Sequence, residues 1–273
     1  MRGIIGIVVT SLVMWGTLTG CGGSGAPATN NGGVATDGST SMEKVVGYLS
    51  EVYMEEHPDV KVTFNPTGSG AGIQAVAQGR CDIGLSSREL RESEKLNLDA
   101  TVVAIDGIAL IVHPENPVSD LSLDQIEDLF EGEDKNWKAV GGNDGPVVLI
   151  GREAASGTRE GFEAITDTEG ECRYHQELTS TGDVVQTVAS NPNAIGYASL
   201  ESVKDTVKVL AVEGVMPTAE SIQEGRYRVR RNFLFVTRKN GTLSPDAQAF
   251  FDFATGGAAD ALIAKAGAIP VKR

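Results

Sequence analysis

The chain has 273 residues, 41% of them hydrophobic and 22% charged, and its 33 glycines follow no every-third-residue period. This length suits one or two domains, and the composition argues against both an intrinsically disordered chain and a collagen-like one. The net charge of −14, from 23 Lys plus Arg against 37 Asp plus Glu, argues against a nucleic-acid binder, which needs a basic surface to release counterions. It says nothing against a small anion held in a shielded site, where local donors outweigh distant screened carboxylates.

At the N-terminus, Arg2 precedes an apolar run from Ile4 to Trp15 and then Leu18-Thr19-Gly20-Cys21. A charged start, a short apolar stretch and small residues before a cleavage point predict a secretory signal over residues 1–20. The run is short for a transmembrane helix. Leu-Thr-Gly-Cys also resembles the lipobox of bacterial lipoproteins. Cys21 is therefore expected to be lipidated and to anchor the protein outside the cell membrane; the alternative is an ordinary signal peptide with an incidental cysteine. Removal of residues 1–20 leaves a mature charge of −15. Residues 21–33 are mostly Gly, Ala, Ser and Asn without apolar period and read as a flexible tether.

From residue 34 strands and helices alternate. Val34–Asp37 is predicted as a strand and Ser41–Glu56 as a helix with Val45, Val46, Leu49 and Tyr53 on one face. Pro58 closes that helix, and Val60–Phe64 is the next strand. A helix over Ile73–Gln78 and a strand over Cys81–Leu85 follow, then a strand-rich run from Thr101 to His113. Ser122-Leu123-Asp124-Gln125 has capping-box spacing before a helix at Ile126–Phe130. Val147–Ile150 is a strand, Gly157–Ile165 and Val184–Ala189 are helices, and Ile195–Ala198 and Val207–Val212 are strands. Phe233–Thr237 is a late strand, and Ser244-Pro245 opens a terminal helix through about Phe253. The alternation predicts α/β layers with helices covering mainly parallel sheets.

Three strand-to-helix joints are loaded with small donors: Asp37-Gly38-Ser39-Thr40-Ser41, Thr67-Gly68-Ser69-Gly70-Ala71-Gly72, and Gly151 to Thr158 with Arg152 and Ser156-Gly157-Thr158. Glycine lets backbone N–H groups approach a ligand, hydroxyls add donors, and a helix start adds partial positive charge. Each joint alone is most simply an N-cap; three in one chain, one with an Arg, point to a shared anion site. Cys81 and Cys172 lie 91 positions apart. They could pair in an oxidising exterior, closing a loop worth about 4 to 5 kcal/mol in the chain-entropy model, or remain separate thiols. His57, His113 and His175 are scattered and no Cys/His cluster exists, so no metal is expected.

These segments, in order, carry a resemblance. Gly38-Ser39-Thr40-Ser41, Gly68-Ser69-Gly70-Ala71-Gly72, Asp82-Ile83-Gly84-x-Ser86-Ser87-Arg88, Arg152-x-x-x-Ser156-Gly157-Thr158-Arg159 and Asn193-Ala194-Ile195-Gly196-Tyr197 resemble the phosphate-binding protein of phosphate-specific ABC transporters, in its short lipoprotein form. The resemblance covers nearly all of the mature chain. It implies a type II periplasmic-binding-protein fold, two α/β lobes with the ligand in an interlobe cleft. The chain would cross between lobes near His113–Pro117 and Tyr227–Asn232. Residues 34–112 and 233–273 would then form lobe 1 and residues 113–232 lobe 2. It also implies that Thr40, Ser41 and Ser69 hold phosphate from lobe 1, and Arg152, Ser156, Gly157 and Thr158 from lobe 2.

Asp82 matches the family's carboxylate acceptor in that resemblance. An acid there would accept a proton from partly protonated phosphate and repel fully deprotonated sulfate. The implied role is extracytoplasmic capture by a monomer and delivery to the permease subunits of an ABC importer, with no cofactor and no catalysis. Two alternatives stand beside it: a receptor or sensor for another oxyanion such as sulfate or molybdate, and a phosphate-ester hydrolase. The hydrolase would need a triad such as Ser156 with His175 and Asp167, and neither a nucleophile elbow nor a P-loop pattern is present.

Overall fold

The computed structural model describes residues 33–272. The expected signal, the lipidation site Cys21 and nearly all of the tether lie outside the described residues; Gly33, the tether's expected last residue, already belongs to the first strand. In chain order the first elements are β1 (Gly33–Gly38), α1 (Glu43–Glu56), β2 (Lys61–Asn65), α2 (Ser69–Ala77), β3 (Ile83–Ser86) and β4 (Leu98–Val112). The middle of the chain holds β5 (Asp120–Leu121), α3 (Leu123–Glu131), β6 (Val148–Arg152), α4 (Gly157–Thr166), β7 (Gln176–Leu178), α5 (Thr181–Ala189) and β8 (Ala194–Ser199). Then come β9 (Lys208–Val209), β10 (Ala211–Val212), α6 (Ala219–Gln223), β11 (Arg230–Arg238), α7 (Pro245–Thr255), α8 (Asp260–Ala266) and β12 (Ile269–Pro270).

Local chemistry explains the helix starts. At α3 the capping box forms as its spacing predicts: Gln125 N donates to Ser122 Oγ at 3.1 Å and Ser122 N to Gln125 Oε1 at 3.0 Å. Ser244 caps α7, and Pro245 takes the first helical position, where its missing N–H costs nothing. Among the described residues no helix is long and apolar enough to cross a membrane.

The main sheet runs β2-β1-β3-β11-β4-β8-β6-β7. Its outer parts are parallel, β1 with β2 and β3 on one side and β6 with β7 and β8 on the other. Its centre is not: β11 runs antiparallel to both β3 and β4, and β4 antiparallel to β8. The expectation of mainly parallel sheets is corrected on this point. The central strands carry the chain between the two halves, so they run against the βαβ units on either side.

Strand β4 belongs to both halves. Leu98–Gly107 pairs with β11, and Ile108–Val112 pairs with β8. β4 thus changes partners at Gly107–Ile108, within the strand and ahead of His113–Pro117, where the resemblance implies a crossing between lobes. Packing agrees: Val103 and Ala104 join one core with α1, α7 and α8, while Ile108, Leu110 and Val112 join another under Phe130 and Phe162. From Val103 onward the strand is largely buried and stays apolar without alternation, broken only by Asp106-Gly107 at the change of partners. On β11, Phe233 and Phe235 enter one core and Leu234 and Val236 the opposite one, the period of two expected of a strand covered on both sides. At the crossing, Arg231 donates from Nε and Nη2 to Asp106 Oδ2 at 3.1 and 2.9 Å, and Ser199 Oγ donates to Asp106 Oδ1 at 2.8 Å. This buried pair pins β4, β8 and β11 together where they change partners.

Cys81 and Cys172 are free thiols. Cys81 packs with Ile73, Val76 and Leu234, and Cys172 against the second-half core, so the pairing considered from sequence is not made. Burial pushes the Cys81 thiol up to about 12, which leaves it unreactive.

Candidate functional site

The three donor-rich joints converge. β1 ends at Gly38, with φ of 141° and so close to β3 that an added Cβ would meet Leu85 O at 2.1 Å; only glycine fits. The chain then turns through Ser39, Thr40 and Ser41 into α1. Beside it Gly68, at φ 94°, starts α2, and Gly72 lies so near that its Cβ would meet Asp37 O at 2.4 Å. The end of β3 delivers Ser87. Ser39 Oγ donates to Ser87 Oγ at 2.9 Å, Ser87 N donates to Ser69 Oγ at 3.0 Å, and the Ser69 and Ser87 hydroxyls lie 3.1 Å apart.

The second half meets this cluster with α4 and α5. Ser156 caps α4, accepting from Thr158 N at 3.2 Å and Arg159 N at 3.4 Å. Across the boundary, Ser41 Oγ lies 2.8 Å from Thr158 Oγ1 and 3.1 Å from Thr181 Oγ1, and Thr40 Oγ1 lies 3.2 Å from Thr181 Oγ1. Gly70 N donates to Ala155 O at 3.1 Å. On the flank, Glu160 of α4 bridges Arg88 at 3.0 Å and Arg91 at 3.1 Å. The halves are thus closed on one another through a seam of small hydroxyls.

Arg152 ends β6 and is 1% exposed. Its Nη1 donates to Thr181 Oγ1 at 3.1 Å, Nη2 to Thr179 O at 3.0 Å and Nε to Leu178 O at 3.0 Å. Glu153 accepts from Nη2 at 3.0 Å and from Nε at 3.1 Å. Behind the strand, Arg152 N donates to Tyr197 OH at 3.3 Å. Arg159 Nη1 donates to Arg152 O at 3.0 Å. The guanidinium is therefore held in one direction by Leu178, Thr179 and Glu153, and such preorganisation lowers the cost of binding an anion. The first residues of α2, α4 and α5 all touch the seam, so three helix N-termini add positive potential to Arg152. Such a set can hold a compact, multiply hydrogen-bonding anion.

The structure thus brings together Thr40, Ser41, Ser69, Arg152, Ser156, Gly157 and Thr158, but not Asp82. The Asp82 carboxylate accepts from Ala35 N at 2.8 Å, at the start of β3. The seam lies at the other end, about 16 Å away at the rise of an extended strand. Asp82 ties β3 to β1 and lies outside the seam. Sequence reasoning could have seen this, since sites in such sheets gather at the carboxyl ends of strands. Ser39 stands in the first donor-rich joint and Ser87 in the Asp82–Arg88 motif without being singled out as anion contacts, and Thr181 lies in none of these segments. Thr179-Ser180-Thr181-Gly182, directly before α5, has the same small-donor character as the three joints that were counted.

The hydrolase triad is not assembled. Asp167 ends α4 while Ser156 begins it, and His175 Nδ1 accepts from Leu149 N at 3.0 Å. Among the described residues no group of three or more His, Cys, Asp or Glu is placed to hold a metal ion.

Residues 23–257 match the PBP superfamily domain. A curated relative, the phosphate-binding protein PstS of Bacillus subtilis, is 34% identical over 203 residues, covering 73% of this chain and 68% of its own. Among solved structures, one described as a phosphate ABC transporter substrate-binding protein with bound phosphate, from Clostridium perfringens, superposes with a TM-score of 0.82. It is 38% identical and covers 88% of this chain and 100% of that one. An ABC-type phosphate transport receptor from Vibrio cholerae gives a TM-score of 0.73 at 32% identity, covering 87% and 100%. The chain belongs to the PBP superfamily and, within it, to the family of phosphate-binding proteins of ABC transporters.

Proposed function

We propose that this chain binds inorganic phosphate between its two halves and delivers it to an ABC importer. The observation that carries the reading is the meeting of hydroxyls from both halves around Arg152. Thr40 and Ser41 bond Thr158 and Thr181 across the boundary, and Arg152 bonds Thr181. A tetraoxo anion arriving there would take over these donors, so each half gains bonds to the ligand that it otherwise makes to the other half. Ser39, Thr40, Ser41, Ser69 and Ser87 would act from the first half, and Arg152, Ser156, Gly157, Thr158 and Thr181 from the second.

The moving parts would be the two halves, turning about the crossings at Gly107–Ile108 and Val229–Arg230. Closure places the donors and excludes water, and the transporter's membrane subunits receive the closed form. The protein would work as a single copy outside the membrane, held by a lipid on Cys21. Calorimetry of the chain lacking residues 1–20 tests the reading. Phosphate is expected to bind one to one and sulfate and molybdate far more weakly; absence of heat with phosphate refutes it.

A further inference from the structure

The binding residues leave one buried acid without a task. Glu201 sits in the tight turn Leu200–Ser202 that follows β8. It is 3% exposed and neither carboxylate oxygen has a side-chain partner; the main-chain N–H and the ammonium of Lys44 in α1 favour its charged form but do not outweigh burial. An ionised carboxylate so placed is strongly disfavoured, whereas the neutral acid is tolerated.

The turn belongs to the second half, but much of what faces it comes from the first half and from the crossing. From α1, Lys44 Nζ donates to the main-chain carbonyl of Glu201 at 2.8 Å, so its ammonium is turned to the backbone. At the end of α8, Gly267 packs so closely that an added Cβ would meet Glu201 Cα at 3.4 Å and Cβ at 3.5 Å. From β4, Asp106 adds like charge; from β11, Arg231 offers opposite charge already committed to Asp106 at 2.9 Å. A cavity of about 450 Å³, lined by Glu201 and Ser202 of the turn, also presents Glu43, Lys44 and Glu51 of α1 and Lys204, and Thr40 of the hydroxyl seam lines it too. Burial first, then Asp106, pushes the Glu201 carboxyl up to about 9.

We propose that closing the two halves around phosphate is coupled to the uptake of one solvent proton by Glu201. The inference rests on the phosphate-binding reading above. When the halves part, α1 and α8 withdraw from the turn, water reaches the carboxylate, and it ionises in the ordinary carboxylate range. On closure it takes a proton from solvent and becomes a neutral carboxylic acid. The closed form is the one with the higher proton affinity. Closure is therefore favoured at low pH and loses strength as pH rises from the ordinary carboxylate range towards about 9.

Calorimetry of phosphate binding to the mature chain and to Glu201→Gln, each in two buffers of different ionisation enthalpy, counts the protons. Phosphate's own proton exchange is common to both proteins and cancels in the comparison. Near about pH 7 the wild type should take up close to one more proton per phosphate than the variant. Its Kd relative to the variant's should rise by up to about tenfold per pH unit, while near about pH 5 the two nearly coincide. Equal proton counts and parallel pH profiles overturn the proposal. Should the variant fail to fold, infrared difference spectra of the wild type decide: a protonated-carboxyl band gained on adding phosphate near neutral pH supports coupling, and its absence overturns it. A wild type that binds no phosphate at any pH refutes the binding reading itself, and this inference with it.

Discussion

Gly157→Ala separates closure from folding. Gly157 is the first residue of α4, and a Cβ there would sit 2.4 Å from Ser69 Oγ, 2.8 Å from Ser87 Oγ and 2.9 Å from Ser69 Cβ. All three atoms belong to the first half, so the collision exists only when the halves meet. Serine side chains are too short to swing far aside, and the cluster must give by several tenths of an ångström or more. Overpacking of this kind costs about 1 to 3 kcal/mol. Charged to the closed form alone, it raises the Kd for phosphate by about 5- to 150-fold. The helix itself gains, if anything, since alanine exceeds glycine in helix propensity. Calorimetry with phosphate, paired with thermal melts without it, reads both effects. Wild-type affinity in the variant, or an affinity loss matched by a lower melting temperature, would refute the argument that these atoms meet on closure.

Three further outcomes follow from the geometry. Asp82→Ala should lower fold stability by about 1 to 2 kcal/mol through the lost bond to Ala35 N, with anion affinity and selectivity unchanged; a tenfold change in the phosphate-to-sulfate ratio would return Asp82 to the site. Arg152→Lys replaces a fork that serves Leu178, Thr179 and Thr181 with a single ammonium. It should weaken phosphate binding by about 2 kcal/mol or more, roughly thirtyfold, as measured by titration. Reducing agent should leave the melting temperature unchanged, since Cys81 and Cys172 are apart in separate cores; a fall of several degrees would reveal a bridge.

Local signals carried much of this structure. Ser122 and Gln125 announced the start of α3, and Ser244-Pro245 that of α7, because capping is decided by residues within one turn. The glycine-rich joints were equally legible, since close approach and positive φ tolerate little else. Pairing between distant strands was not. Nothing in Phe233–Thr237 says that it lies between β3 and β4, because a strand covered on both faces is apolar whichever neighbours it has. The misplacement of Asp82 has a different cause. It stands in the same short motif as Ser87, but a strand separates the two ends of that motif by its full length. α8 was missed because Gly256-Gly257-Ala258-Ala259, just before it, hides the apolar stripe that Ile263 and Ala266 complete.

The position of β11 has a consequence for how the chain acquires its shape. Leu234 lies opposite Ser86 and Phe233 opposite Ala104, so the strand that joins β3 to β4 is made long after both of them. A polypeptide emerging N-terminus first on the far side of the membrane leaves β3 and β4 without the strand that lies between them until nearly everything else has emerged. Such late, long-range pairing slows acquisition of the native state and exposes sticky intermediates. Truncation before Arg230 should therefore yield an insoluble product rather than a smaller working receptor.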